Sequence, residues 1–61
     1  MDDEEIARDT ERCEIRASGR YATYWNLLSE DTPTYVLVDW LSENNFPSLA
    51  NYWQEHAKRR S

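Results

Sequence analysis

Ile6, Thr10, Cys13 and Ala17 follow one another at steps of four, three and four. That rhythm returns to one face of a helix. None of the four is large, so the face suits close packing, while Ile15 falls roughly opposite and has no role in this seam. The seam continues past Gly19 through Tyr21, Tyr24 and Leu28, with Trp25 beside it. Two readings follow. One is a single helix from about Asp3 to Ser29, bent near Gly19. The other is two helices broken at "SGR", with Gly19 in the left-handed conformation after the first and Ser18 as a cap. A glycine inside a helix costs about 1 kcal/mol relative to alanine. The unbroken seam can offset that, and it tips the reading towards the long, kinked helix.

"SEDTPT" (29–34) punctuates the chain. Pro33 disfavours helical geometry at Thr32, and Thr32 as cap with proline at the first helical position is a start signal. The segment after it, "TYVLVDWLSEN", holds Tyr35, Val36 and Val38, which favour a strand by propensity. No other stretch offers that strand a partner, whereas Leu37, Trp40 and Leu41 share a helical face. A short, well-buried helix is therefore expected. "ENNFPS" is a second turn-and-cap cluster, and from Pro47 or Ser48 a last helix runs to about Arg59. Its seam is Leu49, Tyr52, Trp53 and His56. Glu55 precedes Arg59 by four positions, a favourable pairing, and Lys58, Arg59 and Arg60 suit the negative end of the helix dipole. The fold class predicted is all-α: one small domain, 1–61, of three or four helices.

A pentamer pattern repeats within this frame. "ATYWN" (22–26) and "ANYWQ" (50–54) lie 28 positions apart and fall in the same register of their helices. The economical reading places both in the core, with Trp25 and Trp53 beside the inward seam. A chain of about 60 residues buries only about 60% of its unfolded surface, and each aromatic ring buries roughly 150–250 Å². Three Trp and four Tyr nevertheless exceed what so small a core hides easily. Some of them are then free to anchor a partner, as such residues do at interfaces. A base-stacking platform is disfavoured because no Lys or Arg is interleaved with the rings.

Composition narrows the chemistry. Cys13 is the single cysteine and His56 the single histidine, too few for a disulfide framework or a four-ligand zinc site. Nothing in their spacing supports a nucleophile–base pair. Both read as packing residues. Gly19 is the only glycine, so no phosphate-binding glycine loop exists. No enzymatic activity, cofactor or metal is expected. The start, "MDDEE", is acidic and no apolar stretch follows it. The longest apolar run, "YVLV", is far short of the roughly 20 residues that span a bilayer. A soluble, cytoplasmic protein without membrane contact is predicted.

Charge is the broadest signal. The net charge is −5, and it is unevenly placed. Residues 21–57 carry Glu30, Asp31, Asp39, Glu43 and Glu55 and no Lys or Arg. This disfavours contact with a phosphate backbone, which needs a basic patch, and favours a basic partner. Arg8, Arg12, Arg16 and Arg20 form a stripe on the first segment. Such a stripe can follow phosphates or meet an acidic partner, but pairing of Glu4 with Arg8 and Asp9 with Arg12 accounts for it more simply. The candidate partner-binding residues are Glu30, Asp31, Tyr35, Asp39, Glu43, Glu11 and Glu14.

In size, acidity and lack of catalytic groups the chain resembles the very small acidic inhibitors encoded by phages and mobile elements, including anti-CRISPR and DNA-mimic proteins. The resemblance rests on these class properties and not on a motif. It implies a stoichiometric inhibitor that occludes a basic, nucleic-acid-binding protein surface sterically and electrostatically, without binding nucleic acid itself. Two other classes fit parts of the pattern. One is a helix-turn-helix DNA-binding regulator, with "VLVDWLSEN" and "SLANYWQEHAKRR" as its helices. The other is an oligomerising adaptor or antitoxin-like protein docking through its first helix. A homodimer is compatible with each.

Overall fold

The computed structural model describes residues 2–60. They form four helices, α1 (Asp3–Ala17), α2 (Tyr21–Leu27), α3 (Thr34–Glu43) and α4 (Pro47–Arg60), with no strand among them. The small all-α bundle is as expected, and the 34–41 segment is helical. The assembly is flat, with extents of 30 × 26 × 17 Å. Its thin dimension is about two helix layers at the usual 8–10 Å spacing, so every helix keeps one side in solvent.

The long first helix is not formed. Gly19 has φ +77° and turns the chain between α1 and α2. The Gly19 N–H donates to the Arg16 carbonyl at 3.3 Å and the Arg20 N–H to the Ile15 carbonyl at 2.9 Å. These are the two bonds of a Schellman motif, which satisfy the carbonyls that a helix end leaves open. The same device closes α3. Asn45 has φ +66°, its N–H donates to Ser42 at 3.2 Å, and the Phe46 N–H donates to Leu41 at 2.8 Å. Asparagine tolerates this conformation better than other residues with a side chain. Here the apolar contact that often accompanies the motif is also present, since Phe46 and Leu41 are both buried in the core.

The turn at Gly19 overturns the expected seam of α1. Ile6 is half exposed, and Thr10 and Cys13 are exposed. The buried residue is Ile15, with no accessible surface. Ala7, Glu11 and Ile15, at steps of four, form the inward stripe instead, with Arg8 beside it. Once α2 leaves the axis of α1, the two segments no longer share a face. Each then packs through its own register.

The core is Ile15, Tyr24, Leu37, Leu41, Phe46, Leu49 and Ala50, with Leu27, Leu28, Val38, Trp40 and Trp53 packed around it. Tyr24 stacks on Trp40, centroids 6.3 Å apart, and Trp40 leans on Phe46 at 6.2 Å. Trp25, expected in this core, is instead 58% exposed. Its neighbour Tyr24 takes the inward position of α2. In α4 the inward face is Leu49, Ala50, Trp53 and Ala57, while Tyr52 and His56 of the expected seam are exposed. Pro33 is the cap of α3 and not its first residue: its φ of −60° and ψ of 142° are extended, and its carbonyl accepts from Val36 at 3.1 Å. Glu55 pairs with Lys58 at 3.5 Å rather than with Arg59. Arg60's side chain, expected to suit the helix dipole, lies outside the described residues.

Candidate functional site

Two regions of the surface combine chemistry that a solvated helix face does not need. The first is the outer side of α3. Tyr35, Asp39 and Glu43 stand at successive i, i+4 positions and all are exposed, Tyr35 by 74%. Residues four apart are neighbours on a helix surface, so the three form one stripe. Glu30 and Asp31, both exposed, sit in the loop that leads into it. Thr34, Tyr35, Val38 and Asp39 also form one wall of a shallow hollow of about 390 Å³, with Gln54, Ala57 and Lys58 of α4 opposite. A partner meeting this surface would find the acids of α3 and its loop beside an aromatic ring and apolar ground, with Lys58, paired to Glu55, on the α4 side.

The other acidic candidates are placed differently. Glu11 faces inward: its two carboxylate oxygens accept from the Ser48 N–H at 3.0 Å and the Leu49 N–H at 2.9 Å. Those are the second and third residues of α4, whose N–H groups have no partner within the helix. The residue before α4 is Phe46, which has no side-chain acceptor, so a carboxylate from α1 supplies the cap. The negative charge also meets the positive end of the α4 dipole. Glu11 therefore holds α1 to α4, and both of its oxygens are engaged there. Glu14 is exposed near the C-terminal end of α1, in a hollow it shares with Ser18, Arg20, Asn44, Asn45 and Phe46.

The second region is a cleft of about 360 Å³ between α1, α2 and α4. Both repeated pentamers reach it, Tyr24 and Trp25 from α2 and Tyr52 and Trp53 from α4. Tyr24 is its floor, buried to 6% exposure, and its hydroxyl accepts from the Trp53 indole N–H at 3.3 Å. Tyr21 meets Trp25 edge to face at 6.1 Å. Tyr52 meets Trp53 likewise at 5.2 Å. The α1 wall carries Asp9, Arg12, Cys13 and Arg16. The Arg16 guanidinium lies 5.5 Å over the Tyr21 ring, and that of Arg8 4.8 Å over the Tyr52 ring.

Compared with protein-family models, curated proteins and solved structures, the chain matches none. Function must be read from these two surfaces alone.

Sequence reasoning named Tyr35, Asp39 and Glu43 as candidates, without joining them into one stripe, and missed the cleft. The signal for the cleft was the arginine stripe of α1. The expected pairs Glu4–Arg8 and Asp9–Arg12 do not form among the described residues, and Arg8 and Arg16 lie over aromatic rings instead. Among the described residues no group of three or more His, Cys, Asp or Glu is placed to hold a metal ion. No helix among them is long and apolar enough to cross a membrane.

Proposed function

We propose that the protein is a non-enzymatic inhibitor. It binds a basic, nucleic-acid-binding protein surface in the cytoplasm through the outer face of α3 and blocks that surface. What carries this reading is the stripe of Tyr35, Asp39 and Glu43, exposed together and fed by Glu30 and Asp31. No Lys or Arg lies between residues 21 and 57, and the cation that lines the hollow beside Asp39, Lys58, is paired with Glu55. The carboxylates steer association through their summed field, and Tyr35 supplies the anchor that slows dissociation. Single exposed charges are worth no more than about 1 kcal/mol, so the acids act as a group.

The test is capture of a basic protein from a cell lysate, release of that protein by duplex DNA, and binding kinetics at two salt concentrations. The variant Glu30→Gln, Asp31→Asn, Asp39→Asn, Glu43→Gln should associate about tenfold or more slower at low salt and lose much of its salt dependence. Tyr35→Ala should instead speed dissociation. Association of the four-site variant at the parent rate would reduce these carboxylates to a solubilising surface and end the inhibitor reading.

A helix-turn-helix reading draws on one observation, the three-residue turn Asn44–Phe46 between α3 and α4, a length typical of that motif. Against it stand Tyr52 and Glu55 on the exposed side of α4 and the acids on α3. Micromolar binding to duplex DNA at physiological salt would decide for it.

A further inference from the structure

The acidic stripe of α3 makes no use of the cleft between α1, α2 and α4, and the cleft has its own chemistry. Its apolar surface comes from Tyr21, Trp25 and Tyr52, all exposed, above the buried Tyr24. A protein that needed these rings only for its core would have turned them inward. Its charge comes from Arg12 and Arg16. Neither forms an ion pair among the described residues, although the chain has 12 carboxylates to seven Lys and Arg. Asp9, on the same wall, is the one acid against these two cations.

We infer that this cleft binds a nucleotide, its base against the Trp25 ring and its phosphate against Arg12 and Arg16; the Tyr52 ring, already met by Arg8 at 4.8 Å and stacked with His56, forms part of the wall. Each feature removes an alternative. A hydrocarbon ligand would desolvate two guanidiniums without pairing them, at a cost in free energy. A cation would meet the arginines. An inorganic anion would leave the rings unused. A planar aromatic anion satisfies both halves, since bases stack on Trp and Tyr faces and guanidiniums bind phosphate in a fork geometry. About 360 Å³ lies at the small end of ligand sites, which suits one nucleotide and excludes a duplex. The segment 21–57 lacks the basic residues that nucleic-acid contact requires, and the fold supplies them from α1. The nucleotide is either a free mononucleotide or one unpaired residue of a single strand. The cleft stands whether or not α3 binds a basic protein.

Nuclear magnetic resonance titration tests this, reading the indole N–H signals of Trp25 and Trp53 and the amides of α1, α2 and α4. Adenosine monophosphate should shift them saturably, and adenosine or inorganic phosphate alone should bind at least about tenfold more weakly. Trp25→Ala and the double variant Arg12→Gln, Arg16→Gln should each weaken binding by about fivefold to a hundredfold, the range of a lost stacking or charged contact. Trp25, Arg12 and Arg16 are all exposed, so both variants should keep the parent far-ultraviolet circular dichroism. A four-nucleotide single strand that binds more tightly than the monophosphate would name the strand as the source. Equal affinity would name the free nucleotide. The inference fails if about 10 mM monophosphate moves none of these signals, or if the double-arginine variant binds as the parent does. It also fails if a Glu- and Tyr-rich peptide shifts the indoles while the nucleotide does not, which would make the cleft an acidic-peptide site.

Discussion

The two pentamers have nearly the same letters and opposite fates. In "ATYWN" Tyr24 is buried, at 6% exposure, and Trp25 is 58% exposed. In "ANYWQ" Tyr52 is 39% exposed and Trp53 packs against the core. The inward position has moved by one residue, which on a helix is a rotation of about 100°. The cause lies outside the pentamers. α2 is seven residues long, starts from the turn at Gly19, and packs through Tyr24, Leu27 and Leu28. α4 enters from the Asn45 turn, is gripped at its N-terminus by Glu11, and packs through Leu49, Ala50, Trp53 and Ala57. A local pattern places a ring beside a seam, but the direction from which the chain arrives decides which ring turns in. The swap also builds the cleft: the two inward rings meet through the Trp53–Tyr24 hydrogen bond, and the outward pair, Trp25 and Tyr52, line it.

Substitutions can break this comparison in graded steps. The largest difference should separate the two tyrosines. Tyr24→Ala removes a buried ring, the Trp40 stack and the acceptor for Trp53, and should cost about 3–5 kcal/mol, comparable to the whole stability of a small domain. Tyr52→Ala should cost about 1 kcal/mol or less. Urea denaturation of both checks this, and equal losses would mean that the registers are not swapped. The tryptophans should show the reverse order within their pair. Trp53→Ala should cost about 2–3 kcal/mol because it is only partly buried, while Trp25→Ala should stay within about 0.5 kcal/mol. Their melting temperatures should differ accordingly, by about 4–8 °C per kcal/mol in a domain of this size.

Smaller effects sharpen the cause. Glu11→Ala removes the cap that orients α4 and should cost about 1–2 kcal/mol. Glu11→Gln, which keeps one acceptor oxygen, should recover part of it. Faster amide exchange at Ser48 and Leu49 in Glu11→Ala would locate the loss. Gly19→Ala meets no atom within 4 Å but must adopt φ +77°, a strain of about 1–2 kcal/mol for a residue with a Cβ. Thermal melting should report that loss. Tyr24→Phe deletes only the hydroxyl that joins the pentamers and should cost about 0.5–1.5 kcal/mol, with the Trp53 indole signal moving while that of Trp25 stays in place.

Much of the architecture could be read before any coordinate. The helical rhythm, the breaks at "SEDTPT" and "ENNFPS", and the lack of a strand partner for "YVLV" determine four short helices or three with a kink. The inward face of α3 and the exposed acids of the α3 stripe also follow from spacing, because that helix packs with the register its apolar residues prescribe. The inward face of α1 does not. Its stripe contains Glu11, a residue that hydropathy assigns to solvent. It turns inward only because α4 begins at a proline preceded by Phe46 and needs an acceptor from elsewhere. The cleft is illegible for a related reason. Its rings and its guanidiniums are separated along the chain into an aromatic, arginine-free middle and an arginine-rich first helix.

While the break at Gly19 was left to the structure, sequence alone determined the helical class, the breaks at "SEDTPT" and "ENNFPS", the acidity and the surplus of aromatic rings. These are local or summed properties, set by backbone propensity, side-chain period and charge. Tertiary structure decided which ring of each pentamer is buried, which carboxylate is spent inside, and which arginines meet which rings. Those depend on the path of the chain through two left-handed turns, Gly19 and Asn45. A single dihedral at each turn redirects a whole helix, and with it every side chain that the helix carries.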